Sequence, residues 1–165
     1  MTTTAHGSSA WTVAAGLAAA GATGYGLYRL SRWWSERERP AIGYVEGKAL
    51  PLTVVGIDGK PVEIETARAY QRMREAAAKD GATIKVVSGF RTMDEQEYLY
   101  GCYVHCSCNN CNLAARPGYS AHQSGRALDL NTRDPAVGAW MRAHGNAFGF
   151  FNTVPGEPWH WEYRP

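Results

Sequence analysis

The sequence predicts an α+β fold: a small antiparallel sheet with flanking helices, preceded by an N-terminal hydrophobic helix. Short β-branched runs are bounded by Gly, Pro and Asp and do not alternate with helices in a βαβ rhythm, which favours antiparallel pairing. Asp58-Gly59, between the apolar runs 52–55 and 62–64, is the strongest short hairpin signal. Residues 7–28 carry no charged side chain, a length sufficient for a helix to cross a bilayer.

The elements follow in order. Residues 1–31 form an N-terminal segment with a transmembrane helix at about 8–28, flanked by Trp33-Trp34 and an arginine cluster as at a membrane interface. Residues 32–50, with Pro40 and Gly43, read as a linker, and 51–165 as the main folded domain. After the hairpin, Thr66 is placed to cap a helix whose apolar face carries Ala67, Tyr70, Met73 and Ala77, with Gly81 as its stop. Residues 83–87 are β-branched and short, hence a strand that delivers Arg91 to the loop beyond it. Thr92 and Glu95 make a capping-box pattern opening a second helix at 93–103. Residues 126–131 read as a strand, Asp134-Pro135 starts a third helix ending near Gly145, and 150–154 and 159–163 are the last strands.

With 165 residues and 45% apolar composition, the chain has room for one modest core. From residue 41 onward thirteen Lys/Arg balance thirteen Asp/Glu, so the net charge of +2 comes from Arg29, Arg32, Arg37 and Arg39 set against Glu36 and Glu38. That is a basic cluster at one boundary. It is not a nucleic-acid-binding pattern.

The chemistry lies near the C-terminus. His122 and Asp129 stand within Ser120-Ala121-His122-Gln123-Ser124-Gly125-Arg126-Ala127-Leu128-Asp129, and His160 follows within Glu157-Pro158-Trp159-His160. Two imidazoles and one carboxylate suit Zn²⁺ and leave the fourth tetrahedral position open, as catalytic zinc requires. Glu157, three residues before His160, can take a proton without being a ligand. The expectation is one Zn²⁺ per chain, held by His122, Asp129 and His160.

The blocks Ser88-Gly89-Phe90-Arg91-Thr92, 120–129 and Glu157-Pro158-Trp159-His160-Trp161 resemble those of the VanY-like zinc D-Ala-D-Ala carboxypeptidases. That superfamily also holds L-alanyl-D-glutamate endopeptidases and the hedgehog N-terminal domain. The resemblance covers roughly residues 50–165. It implies the same three ligands, Glu157 as catalytic base and Arg91 as the group that polarises the scissile carbonyl. It also implies substrate contacts from Ser120 and Gln96; Trp159, a further candidate for the substrate side, reads as core or cleft wall. The implied function is zinc-dependent cleavage of peptidoglycan stem peptides, of the D-Ala-D-Ala carboxypeptidase type. Alternatives are an endopeptidase, phage lysin or delivered toxin with the same chemistry, or a hedgehog-like zinc-binding interaction module without turnover. A binding module needs neither Glu157 nor Arg91.

Peptidoglycan lies outside the cytoplasm, so the expected place is the cell envelope, anchored at the inner membrane with a periplasmic catalytic domain. The arginines after the apolar run point the other way by the positive-inside rule. Cys102, Cys106, Cys108 and Cys111 fall within ten residues. A structural zinc site would need four such thiolates, but the spacing is not that of a standard zinc knuckle. In an oxidising compartment two disulfides are the simpler reading. A pairing with Cys106–Cys108 is disfavoured because neighbours that close strain the bridge.

Overall fold

The computed structural model describes residues 38–108 and 110–165. Two antiparallel sheets carry the domain. The first has the order β1-β2-β3, from β1 (Arg39–Val45), β2 (Lys48–Ile57) and β3 (Lys60–Glu63). The second has the order β4-β5-β7-β6, from β4 (Val86–Ser88), β5 (Ala127–Leu130), β6 (Phe150–Phe151) and β7 (His160–Tyr163). Helices α1 (Ile64–Lys79), α2 (Met93–His105) and α3 (Pro135–His144) complete it. The α+β class and the antiparallel pairing agree with expectation, but there are two sheets where one was expected.

Residues 39–50, expected within a linker, are largely strand. β1 pairs along its whole length with β2, from Arg39 opposite Val54 to Val45 opposite Lys48. This hairpin is hard to read because β1 is mostly exposed, with only Tyr44–Val45 and Ile42 offering apolar bulk and Gly43 buried. The tight turn at Glu46-Gly47 has positive φ at both residues (51° and 78°).

The second hairpin forms where the sequence places it. Asp58 and Gly59 both have positive φ (50° and 79°), the combination that matches the right-handed strand twist. Asp58 also ties three elements together. Its carboxylate accepts from the Val86 amide at 2.9 Å, the Tyr70 hydroxyl at 3.2 Å and Arg74 at 3.2 Å. Burial, then the Asp58 charge, push the Tyr70 phenol well above its ordinary range, so it stays a donor.

Helix α1 is capped by Glu63, not by Thr66. The Glu63 carboxylate accepts from the Glu65 and Thr66 amides, while Thr66 is buried inside the first turn. Gly81 (φ 82°) follows the helix end as expected. The strand expected at 83–87 is shorter and later, at Val86–Ser88. Residues before it are satisfied differently, with Tyr70 donating to the Ile84 carbonyl at 3.1 Å and the Lys85 amide donating to Asn131 at 2.7 Å. The Thr92–Glu95 capping box and the Asp134 cap with Pro135 behind it are both present. Between the sheets and helices sit Ile57, Val62, Tyr70, Met73, Ile84, Leu128, Leu130, Met141 and Phe150, all essentially fully buried. Each such apolar side chain stabilises the fold by roughly 1.5–3 kcal/mol.

Among the described residues, no helix is long and apolar enough to cross a membrane. The apolar segment at 8–28 lies outside the described residues.

Candidate active site

Strands β5 and β7 are antiparallel neighbours in a register that sets Asp129 directly opposite His160. The second imidazole comes from the loop before β5. Hydrogen bonds hold that loop, among them these: the His122 carbonyl accepts from the Arg91 and Gly125 amides, both at 3.2 Å, the Tyr44 amide donates to the Gln123 carbonyl at 2.8 Å, and the His122 amide donates to Ser120 Oγ at 3.3 Å. Gly125 (φ 77°) is required, because a side chain there would be strained and would collide with Glu63.

The ring atoms are oriented by their outer partners. His122 Nδ1 lies 2.7 Å from the Gly89 carbonyl, which can only accept, so Nδ1 carries a proton and Nε2 is the ring nitrogen that faces Asp129. His122 Nε2 is 3.4 Å and His160 Nδ1 3.2 Å from the same atom, Asp129 Oδ1. Bonds of about 2.0–2.2 Å in a tetrahedral zinc site place ligand atoms about 3.3–3.6 Å apart. The observed separations approach those edges, and all three ligand atoms lie within 4.8 Å of one another. The residues fit a zinc ion. Among the described residues this is the one cluster of three or more His, Cys, Asp or Glu able to hold a metal.

Burial disfavours the Asp129 carboxylate, but hydrogen bonds from His122 and His160 and their charges outweigh it and hold Asp129 well below the usual carboxylate range. For His160 burial disfavours the imidazolium, and the Asp129 hydrogen bond and charge, helped by Glu162, overcome it and raise its pKa.

The site opens into a cleft of about 910 Å³. Arg91, Ser120, Glu157 and Trp159 all line it beside the three ligands, so these sequence-assigned residues are brought together. Glu157 lies in the turn before β7, its amide donating to the Val154 carbonyl and its carbonyl accepting from the His160 amide at 3.0 Å. Arg91 is half-buried; burial works against its charge, and Asp129 and Glu95 offset part of that.

Gln96 does not line the cleft. It is fully buried, its Oε1 accepting from Arg91 at 2.8 Å and its Nε2 donating to the Ala115 carbonyl at 2.7 Å, so the expected substrate contact is replaced by a contact to Arg91. The cysteines form two disulfides, Cys102–Cys108 and Cys106–Cys111, and the pairing Cys106–Cys108 is avoided. No thiol remains for a second metal among the described residues. Glu162 was overlooked by sequence reading. Its Oε1 lies 3.5 Å from His160 Nε2, on the side away from Asp129. The signal was present: residues two apart on a strand share a face, and His160 and Glu162 are both on β7.

An antiparallel sheet and the loop before it thus bring a His/Asp/His cluster, a carboxylate and a guanidinium into one cleft, an arrangement to set beside known proteins. The family model for VanY, D-alanyl-D-alanine carboxypeptidase, matches residues 59–165, and the chain belongs to that family. It is 30% identical over 132 residues to a D-alanyl-D-alanine carboxypeptidase of Enterococcus faecalis, covering 64% of this chain and 49% of that protein. The chain spans about half the length of the curated relatives it matches. Among solved structures, a mutant of the vancomycin-resistance D,D-pentapeptidase VanY from a VanB-type cassette, in complex with Zn(II), matches with a TM-score of 0.57 at 25% identity. That match covers 67% of this chain and 77% of the other. The LdcB LD-carboxypeptidase matches with a TM-score of 0.56 at 28% identity, covering 62% of this chain and 59% of the other.

Proposed function

We propose that this protein is a zinc-dependent peptidase that removes the terminal D-alanine from peptidoglycan stem peptides ending in D-Ala-D-Ala. The observation that carries the reading is the convergence of His122 Nε2 and His160 Nδ1 on Asp129 Oδ1, at 3.4 and 3.2 Å, in a cleft shared with Glu157 and Arg91. These three atoms would hold one Zn²⁺, which when bound supplies Lewis acidity to a water molecule and to the scissile carbonyl. Glu157 takes the proton from the attacking water and passes it to the leaving amine. Arg91 donates hydrogen bonds to the carbonyl oxygen as it gains negative charge. Ser120 and Trp159, both on the cleft wall, position the peptide.

The similarity to an LD-carboxypeptidase supports a second reading, in which the substrate is a tetrapeptide cut at its L,D bond. Purified muropeptides decide between them. Conversion of pentapeptide to tetrapeptide supports the first reading and tetrapeptide to tripeptide the second, whereas release of internal fragments would mean an endopeptidase. Zinc-loaded protein that leaves all of them intact would favour a binding module. The two disulfides support work in an oxidising compartment outside the cytoplasm.

A further inference from the structure

The four cysteines take no part in the chemistry above, yet they connect to Arg91 along one path. Helix α2 carries Gln96 near its start. Near its end it carries Cys102, with Cys106 as its left-handed cap (φ 54°). The bridges to Cys108 and Cys111 fold the following chain back toward the helix. Four residues after Cys111, the Ala115 carbonyl meets Gln96 Nε2 at 2.7 Å. The segment Asn112, Leu113, Ala114 and Ala115 forms one lip of the cleft. Leu113 is 73% exposed, so this lip buries little apolar surface of its own. At its other end the Gln96 amide holds the guanidinium of Arg91 at 2.8 Å. A buried amide bonded at both ends links its two partners, so displacing one shifts the other.

We propose that Gln96 is a positioning residue that couples the disulfide-bridged lip to Arg91, so that both bridges set the placement of the charge-stabilising guanidinium. The proposal rests on the peptidase reading for its kinetic test but has a second test independent of turnover. An unbridged lip no longer presents the Ala115 carbonyl at a fixed place, Gln96 loses its outer partner, and Arg91 gains freedom at the point where sub-ångström placement governs rate. His122, Asp129 and His160 are held by other contacts, so zinc stays.

The kinetic test uses the full zinc-loaded chain, oxidised and reduced, with a synthetic pentapeptide ending in D-Ala-D-Ala. Reduction should lower kcat by about 10-fold or more at unchanged zinc content. Gln96→Glu keeps an acceptor for Arg91 but sets a carboxylate against the Ala115 carbonyl, cutting only the outer link. Its kcat should already be low when oxidised, and reduction should lower it by less than about 2-fold more, as expected for coupled residues. Equal kcat for oxidised and reduced wild type would overturn the coupling, as would the same fold-loss on reduction in wild type and variant. Hydrogen exchange of the Gln96 side-chain amide, followed by NMR in the wild type, decides even where Gln96→Glu fails to fold. Exchange should be slow when oxidised and at least about 10-fold faster when reduced; equal protection in both states would overturn the proposal. Zinc-loaded oxidised protein that leaves the pentapeptide intact would count against the peptidase reading alone, with the exchange result still standing.

Discussion

Asp129 and His160 are direct cross-strand partners on β5 and β7, and Asp129 Oδ1 lies 3.2 Å from His160 Nδ1. Two of the three candidate ligand residues therefore share one rigid element pair, and only His122 depends on a loop. Such placement preorganises a metal site, because strand pairing sets the distance before any ion arrives.

Replacing His122, Asp129 or His160 with Ala should abolish stoichiometric zinc. Elemental analysis of purified protein checks this, with wild type at one zinc per chain. Zinc at 100 times its dissociation constant should stabilise the wild type by about 2.7 kcal/mol, visible as a raised melting temperature that the three variants lack. A variant that keeps both zinc and the shift would remove that residue from the ligand set.

Glu157→Gln should keep zinc and lose roughly 10²–10⁴ in kcat, the span of general acid–base contributions. Arg91→Ala should also keep zinc and act mainly on kcat, since its donors meet charge that develops in the transition state. Loss of zinc from Glu157→Gln would make Glu157 a ligand instead of a base.

Glu162→Ala should weaken zinc binding by about 10–100-fold without changing the ligand set, the usual cost of removing the outer partner of a metal-bound histidine. Glu162→Gln, which still offers an acceptor to His160 Nε2, should fall between. Competition with a chelator measures both. Wild-type affinity in Glu162→Ala would show that the 3.5 Å contact does not orient the ring.

The metal-free protein should have a pH-dependent stability with a defined sign. His160 has a raised pKa, so its contribution is complete below its ordinary value of 6.5 and is lost as pH rises through the folded value. Asp129 has a lowered pKa, so its contribution is present above its ordinary 3.8 and fades as pH falls below that. Stability from this pair should therefore peak between about pH 4 and 6.5. Zinc must displace the His160 proton, so zinc affinity should climb as pH rises past 6.5. Denaturant melts and chelator competition across pH test the two signs.

Intact-mass measurement without reductant should show four hydrogens fewer than the thiol form, two for each bridge. Loops this short are worth about 2–2.5 kcal/mol each by loop-closure entropy. Reduction should accordingly leave the domain folded, as circular dichroism would show. Complete unfolding on reduction would mean the bridges hold more than the lip.

Local chemistry made much of this protein legible without coordinates. The Asp58-Gly59 turn, the Thr92–Glu95 capping box and the Asp134-Pro135 start depend on near neighbours, and each forms as expected. That His122, Asp129 and His160 lie together was expected from the sequence because metal ligation restricts residue type so strongly that type and spacing survive in one dimension. Contacts between distant segments were not legible. Strand β1 has little apolar alternation and exists because β2 offers a pairing edge. Glu63 rather than Thr66 caps α1 because the hairpin delivers its carboxylate to the helix start and buries the threonine. Gln96 faces Arg91 and Ala115 instead of substrate because the bridged chain folds back along α2. Glu162 meets the outer nitrogen of His160 through a ring orientation set by Asp129 on another strand. Residue type and neighbours marked the candidate ligands; which atom of each side chain faces which partner was decided by packing between segments far apart in the chain, since those distances do not exist until the sheets close.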